Sequence, residues 1–246
     1  MAAFFYLTTY LSMFHFKQFS VNDDCSSMKV GTDAVLLGTC VDSPVYDTPQ
    51  RVLEIGTGCG VISLIIAQRF EHAEIDAIDI DTDSIKQAQK NFEESPWASR
   101  LHTQHGAIQT YNAPKYNLIV SNPPFFENSL KAPNKQRNLA RHTDSLSIEA
   151  LIENVDRLLE REGSFWGILP YLGAQKAIQI ASKYSLVCNK LLLIRNTENS
   201  IVKRAIFKLS YSGDCTTEQH YAIRNLDNTY SEWYRQLTTA FYTHLK

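Results

Sequence analysis

Two stretches hold residues whose types and spacing can do chemistry. Glu54-Ile55-Gly56-Thr57-Gly58-Cys59-Gly60 sets three glycines within five residues behind a carboxylate. Ser121-Asn122-Pro123-Pro124-Phe125 joins an amide side chain to two prolines and an aromatic ring. Glycines between a strand and a helix permit positive φ and let a ligand approach the backbone closely. The free amides that open a helix then point at that ligand. The dinucleotide fingerprint is G-x-G-x-x-G with an acid about 20 positions on, and Asp79 fits that acid. The spacing here is G-x-G-x-G, however, and Glu54 precedes it. A pyrophosphate is disfavoured beside a carboxylate. S-adenosylmethionine has no phosphate and carries an ammonium and a sulfonium, so Glu54, Gly56, Gly58 and Gly60 suit it better. Asp79 can accept both ribose hydroxyls in charge-assisted hydrogen bonds. Asp81, just beyond it, precedes Thr82-Asp83 and reads as a helix start.

The prolines of the second stretch remove two backbone donors and fix φ, which leaves a rigid turn rich in acceptors. Asn122, preceding a proline, is pushed to extended geometry. Its side-chain oxygen and the Pro123 carbonyl can accept the two hydrogens of one amino group. Pro124 stiffens the turn, and Phe125 offers a flat face worth about 1–3 kcal/mol per stacked base. This chemistry suits methylation of a conjugated nitrogen. Such a nitrogen is a poor nucleophile because its lone pair is delocalised. Two acceptors on its hydrogens return electron density to it, and no histidine base is needed. What remains is to hold nitrogen and methyl about 3–3.5 Å apart in line.

The elements that must position these motifs alternate strand and helix, the pattern of a parallel sheet with helices on both faces. Strands are expected at Val52–Ile55, Glu74–Ile80, Leu101–Gly106, Tyr116–Val120 and Gly163–Leu169. Helices are expected at Asp33–Cys40, Val61–Phe70, Thr82–Glu93, Ser147–Leu159 and Leu172–Tyr184. Leu186–Ile194 and Ile201–Leu209 are joined by a loop too short for a crossover helix, so they pair antiparallel. The expected fold is α/β, a doubly wound, Rossmann-like, mostly parallel seven-stranded sheet with one antiparallel strand. Trp233, Leu237, Phe241 and Leu245 recur at four-residue spacing and predict a C-terminal helix.

The chain has 246 residues and a net charge of −2, which gives no global signal for nucleic acid. Residues 13–246 are expected to form a single domain, with 1–12 a flexible extension. Five scattered cysteines without CxxC spacing fit reduced thiols rather than a disulfide framework or zinc knuckle. The dispersed histidines give no metal site. No run approaches the roughly 18 apolar residues of a membrane span. The expectation is a cytoplasmic monomer without metal or membrane.

Together the motifs resemble the class I methyltransferases that modify exocyclic or amide nitrogens, whose acceptor motif is Asn/Asp-Pro-Pro-aromatic. Phe16-Lys17-Gln18-Phe19, Met28-Lys29-Val30-Gly31-Thr32-Asp33, Ala88-Gln89 with Asn91, and Ser95-Pro96-Trp97-Ala98 narrow the match. With Asn122-Pro123-Pro124-Phe125 they are similar to the bacterial tRNA (adenine-N6)-methyltransferases that modify the adenine beside the anticodon of a valine tRNA. The resemblance runs from about Phe14 to Leu209. It implies S-adenosylmethionine as cofactor, tRNA as partner, and Lys29 and Thr32 as closing the cofactor pocket, although Thr32 equally suits a helix entry. It also expects an acid reading the cofactor adenine where this chain has Ala107.

Residues 127–145 carry Lys131, Lys135, Arg137 and Arg141 against Glu127 and Asp144, a net +2 on a chain of −2. A long loop beside an acceptor motif is a candidate RNA-backbone contact, and Lys203-Arg204 extends the patch. The alternative acceptor is a glutamine amide of a release factor, although only about 50 residues precede the first strand, too few for the helical domain such enzymes carry. DNA adenine methylation lacks a target-recognition domain here, and nicotinamide chemistry is disfavoured by the glycine spacing.

Overall fold

The computed structural model describes residues 13–26, 28–42, 50–123, 146–214 and 218–244. Pro124 and Phe125, and the loop cations Lys131, Lys135, Arg137 and Arg141, lie outside the described residues.

A hairpin of β1 (Met13–His15) and β2 (Ser20–Asn22) leads into α1 (Thr32–Cys40). The α/β alternation follows as β3 (Arg51–Ile55), α2 (Val61–Arg69), β4 (Glu74–Asp79), α3 (Thr82–Glu93), β5 (Leu101–His105) and β6 (Tyr116–Ser121). After it come α4 (Ile148–Leu158), β7 (Leu159–Pro170), α5 (Tyr171–Ala181), β8 (Val187–Thr197), β9 (Val202–Ser210), β10 (Glu218–Arg224) and α6 (Glu232–Thr238). The main sheet has the order β10-β8-β9-β7-β6-β3-β4-β5.

Strand composition explains its burial. Alternate residues of one strand face opposite sides, so Val52, Ile75, Leu118 and Val120 join one apolar cluster with α1 and α2. Leu53, Ile55, Ile78 and Ile119 join the other with α4 and α5. Both faces are covered, which is why these strands read as continuous apolar runs. Helix ends follow local chemistry. The Asp81 carboxylate accepts the Ser84 amide at 3.1 Å, as expected for a helix start. Ser147 and Ser231 cap α4 and α6 in the same way.

β9 alone runs against its neighbours, so the single antiparallel strand is as expected. The strand number is corrected: the sheet has eight strands among the described residues, not seven. The added β10 pairs parallel with the edge of β8. Its residues Glu218, Gln219 and His220 are exposed, so it lacks the apolar run of the central strands. The C-terminal helix is also shorter than its spacing predicts. It ends at Thr238, and Phe241 packs from a turn beyond it.

Candidate active site

Strand order creates the site. From β3 the chain moves to β4 on one side, whereas β6 lies on the other. Such a reversal opens a crevice at the carboxyl ends of the strands, the general ligand position of open α/β sheets. Ile55 and Ser121 are paired in register, and the Ser121 hydroxyl donates to the Ile55 carbonyl at 2.8 Å. The glycine loop and Asn122 therefore leave adjacent strand ends.

The loop needs its glycines for two different reasons. Gly56, Gly58 and Gly60 have φ of 74°, 56° and 83°, a region costly for side chains with a Cβ. At Gly60 a Cβ would also lie 2.5 Å from the Phe92 ring, whereas at Gly56 nothing stands within 4 Å. Gly60 thus seats the loop on α3, and Gly56 leaves open space on the loop surface.

Glu54 is fully buried beneath this loop. Its Oε2 accepts from the Thr57 hydroxyl at 2.8 Å, from the Ser63 amide at 3.0 Å and from the Ser63 hydroxyl. Its Oε1 has no hydrogen-bond partner among the described residues. Burial pushes its pKa up to about 7, against those hydrogen bonds, which pull it down. The carboxylate therefore ties the loop to the first turn of α2, a role the sequence reading missed. Asp79 occupies the end of β4. One of its oxygens accepts the Gly58 amide at 2.8 Å, the other the Asp81 amide at 2.9 Å. Cys59 is no nucleophile: burial raises its thiol to about 12.

These residues suit the cationic cofactor. A buried carboxylate with an orphaned oxygen supplies negative potential under an open glycine surface, and Asp79 stands at the neighbouring strand end. Ala107 supplies no carboxylate, and its carbonyl is engaged by the Thr110 amide and hydroxyl, each at 3.2 Å.

Lys29 is exposed but anchored at its tip. Its ammonium donates to the Asp23 carbonyl at 2.7 Å and pairs with the Asp23 carboxylate at 3.4 Å. Thr32 opens α1, the helix-entry position, with Gly31 as its cap. A cleft of about 290 Å³ brings Lys29 and Thr32 together with Met28, Asp33, Asn122 and Arg204. The Asn122 side chain is half-buried and has no hydrogen-bond partner among the described residues. Pro123 beside it is buried. The structure thus gathers the glycine loop and Asp79 at the neighbouring ends of β3 and β4, and Lys29, Thr32 and Asn122 around the cleft. Asp33 and Arg204 were not foreseen as a pair in that wall.

The flanking residues of the resemblance turn out to be structural. Asn91 donates to the Asn22 and Cys59 carbonyls at 2.8 Å each and accepts the Asn22 amide at 3.0 Å. Phe16 stacks on Phe19 at 4.5 Å, and Phe19 meets Trp97 edge-on at 5.6 Å. Among the described residues no group of His, Cys, Asp and Glu is placed to hold a metal. No helix is long and apolar enough to cross a membrane.

A mostly parallel sheet with a late antiparallel strand, a glycine loop after β3 and an acid ending β4 define a class I, S-adenosylmethionine-dependent methyltransferase. Residues 26–178 match the methyltransferase small domain family. The chain belongs to the family of tRNA1(Val) (adenine(37)-N6)-methyltransferases. The relative of that name from Flavobacterium psychrophilum is 38% identical, covering 94% of this chain and 99% of its own. The one from Pedobacter heparinus is 40% identical over 93% and 97%. A solved structure of a predicted O-methyltransferase from Agrobacterium tumefaciens superposes with a TM-score of 0.66, covering 85% of this chain and 96% of its own. At 16% identity it speaks for the fold alone.

Proposed function

We propose that this enzyme transfers the methyl group of S-adenosylmethionine to the exocyclic N6 amine of the adenine beside the anticodon, position 37, of a valine tRNA. The observation that carries the reading is the adjacency of two strand ends, fixed by the Ser121–Ile55 hydrogen bond. It sets the cofactor loop beside an Asn122 amide that is unpaired among the described residues. Relatives spanning nearly the whole chain bear the name of that activity, so the release-factor alternative is not favoured.

In this reading Glu54, Gly56, Gly58, Gly60 and Asp79 hold the cofactor, with Lys29 and Thr32 closing its pocket. The cofactor supplies an electrophilic methyl on sulfur. Asn122 and the Pro123 carbonyl accept the two amine hydrogens, Pro124 stiffens the turn, and Phe125 stacks on the adenine. With the cofactor bound, the amine nitrogen held by Asn122 and Pro123 would take the methyl as the carbon–sulfur bond breaks, S-adenosylhomocysteine would be the leaving group, and the surplus proton would pass to water after transfer. Lys131, Lys135, Arg137 and Arg141 contact the RNA backbone.

The working unit is a single domain over 13–246. The Phe16–Tyr242 bridge, which joins the two ends of that span, supports it. The enzyme acts as a cytoplasmic monomer without metal.

Incubation with labelled S-adenosylmethionine and, separately, unmodified tRNA or a release factor tests the reading. Label is expected in RNA alone; label in protein alone overturns it. Asn122→Ala is expected to abolish transfer while leaving cofactor affinity intact. Loss of both would remove Asn122 from the acceptor role.

A further inference from the structure

Arg204 stands 82 positions after Asn122 in sequence, yet both line one cleft of about 290 Å³. Topology explains the meeting. β9 is the antiparallel strand, so it delivers its first residues to the sheet end where the parallel strands deliver their last. Arg204 pairs in register with Pro170, the final residue of β7. β7 separates β9 from β6, and Arg204 lies two residues beyond the level of Asn122, so two strand spacings of ~4.8 Å and that offset set their backbones roughly 12 Å apart.

The guanidinium donates to the Asp33 carboxylate, and no other protein partner for it exists among the described residues. A guanidinium has five N–H donors in a fixed fork that matches phosphate, so most of this one's capacity is unspent. The side chains of Arg204 and Asp33 are 23% and 41% exposed, open enough for exchange. Asp33 occupies the first turn of α1, where the helix dipole favours a negative charge. It therefore keeps a favourable setting when the guanidinium leaves. Among the described residues Asp33 is the one acid lining the cleft, and Lys29, the other cation there, is already paired with Asp23, which leaves Arg204 as the cation an incoming anion can claim from Asp33.

We propose that Arg204 binds the backbone phosphate of the nucleotide presented to Asn122, and that Asp33 holds the guanidinium in place until that phosphate displaces it. This rests on the tRNA reading above and adds a named RNA contact outside the 127–145 loop. The distance across the sheet fits a nucleotide whose base lies at Asn122 and whose phosphate lies at Arg204.

The test is binding of unmodified tRNA over a range of salt in the presence of S-adenosylhomocysteine, with thermal midpoints as a folding check. Arg204→Ala is expected to weaken binding and lower the salt slope by about one. Arg204→Lys keeps the slope, because it keeps the charge. Asp33→Asn frees the guanidinium and tightens binding, and the double variant matches Arg204→Ala. An unchanged slope in Arg204→Ala overturns the clamp, as does weakening of Asp33→Asn to the level of Arg204→Ala. So does weakened S-adenosylhomocysteine affinity in Arg204→Ala, which would place the guanidinium on the cofactor carboxylate. Wild-type enzyme that methylates tRNA while Arg204→Ala keeps its slope removes the clamp alone. Wild-type enzyme that neither binds nor methylates tRNA removes the tRNA reading together with the clamp.

Discussion

The side-chain amide of Asn91 donates to the Cys59 carbonyl at 2.8 Å, so α3 grips the glycine loop from outside the strand that bears it. The same nitrogen donates to Asn22 on β2, and both of its hydrogens are used. Asn91→Asp keeps the size and loses both donors. It is expected to destabilise the fold by about 1–3 kcal/mol, the cost of buried groups left unpaired. Cofactor affinity should fall with it. Calorimetric unfolding and cofactor titration check the pair of effects; an unchanged thermal midpoint would show that the clamp is idle.

Glu54 gives a pH signature. Its pKa rises on folding from 4.5 to about 7, so the folded protein holds this proton more tightly than the unfolded chain. The group's contribution to stability is therefore full below 4.5 and is lost as pH rises through 7. A bound cation favours the ionised form. Cofactor affinity should accordingly rise with pH up to about 7 and then level. Below that point the gain is up to about tenfold per unit. Subtracting the Glu54→Gln profile isolates this group from the titration of the cofactor itself. Parallel profiles in the two proteins would exclude Glu54 from cofactor electrostatics.

Gly56 and Gly60 share a left-handed backbone but differ in surroundings. Alanine at either costs about 1–2 kcal/mol in backbone strain. At Gly60 the collision with Phe92 adds ~1–3 kcal/mol. Gly60→Ala should unfold at a distinctly lower temperature than Gly56→Ala. Gly56→Ala should instead act chiefly on cofactor affinity, since its new methyl enters the open loop surface. Equal thermal midpoints would contradict this division.

The 127–145 segment bears four cations against two acids. If it follows the RNA backbone, neutralising Arg137 and Arg141 together lowers the salt slope of tRNA binding by about two. A slope equal to wild type would remove this segment from the RNA contact.

The core strands were legible because Val52–Ile55 and Tyr116–Ser121 are buried on both faces and need no partner to look apolar. The glycine loop was legible because positive φ leaves a compositional mark. β10 was not, because an edge strand with exposed Glu218, Gln219 and His220 is defined by the neighbour it pairs with. β1 and β2, at three residues each, are too short to carry a pattern, and β2 is held by a side chain far away in sequence. Glu54 was read as an acid for a ligand; that its oxygen already serves Thr57 and Ser63 follows from the turn into α2, which spacing alone does not display. Arg204 was legible only as a cation that, with Lys203, could extend the basic patch of the 127–145 segment. Only the strand order shows that it shares a cleft with Asn122.

The bridge between Phe16 and Tyr242 has a consequence for synthesis. The Lys17 ammonium donates to the Thr239 carbonyl, 222 positions later in the chain. Translation thus delivers Lys17 a full 222 positions ahead of the carbonyl that anchors it. Until then, the segment that leads through Asn22 to Ser26, against Gly58, rests on Trp97 and Asn91 without its bridge to Tyr242. Strands β3 to β7 can assemble while the chain is still growing, but the latch over their cofactor loop closes only when translation has passed Tyr242. Full methylating competence would then require that Tyr242 has left the ribosome, and a nascent chain stalled in α6 would carry the loop without its lock.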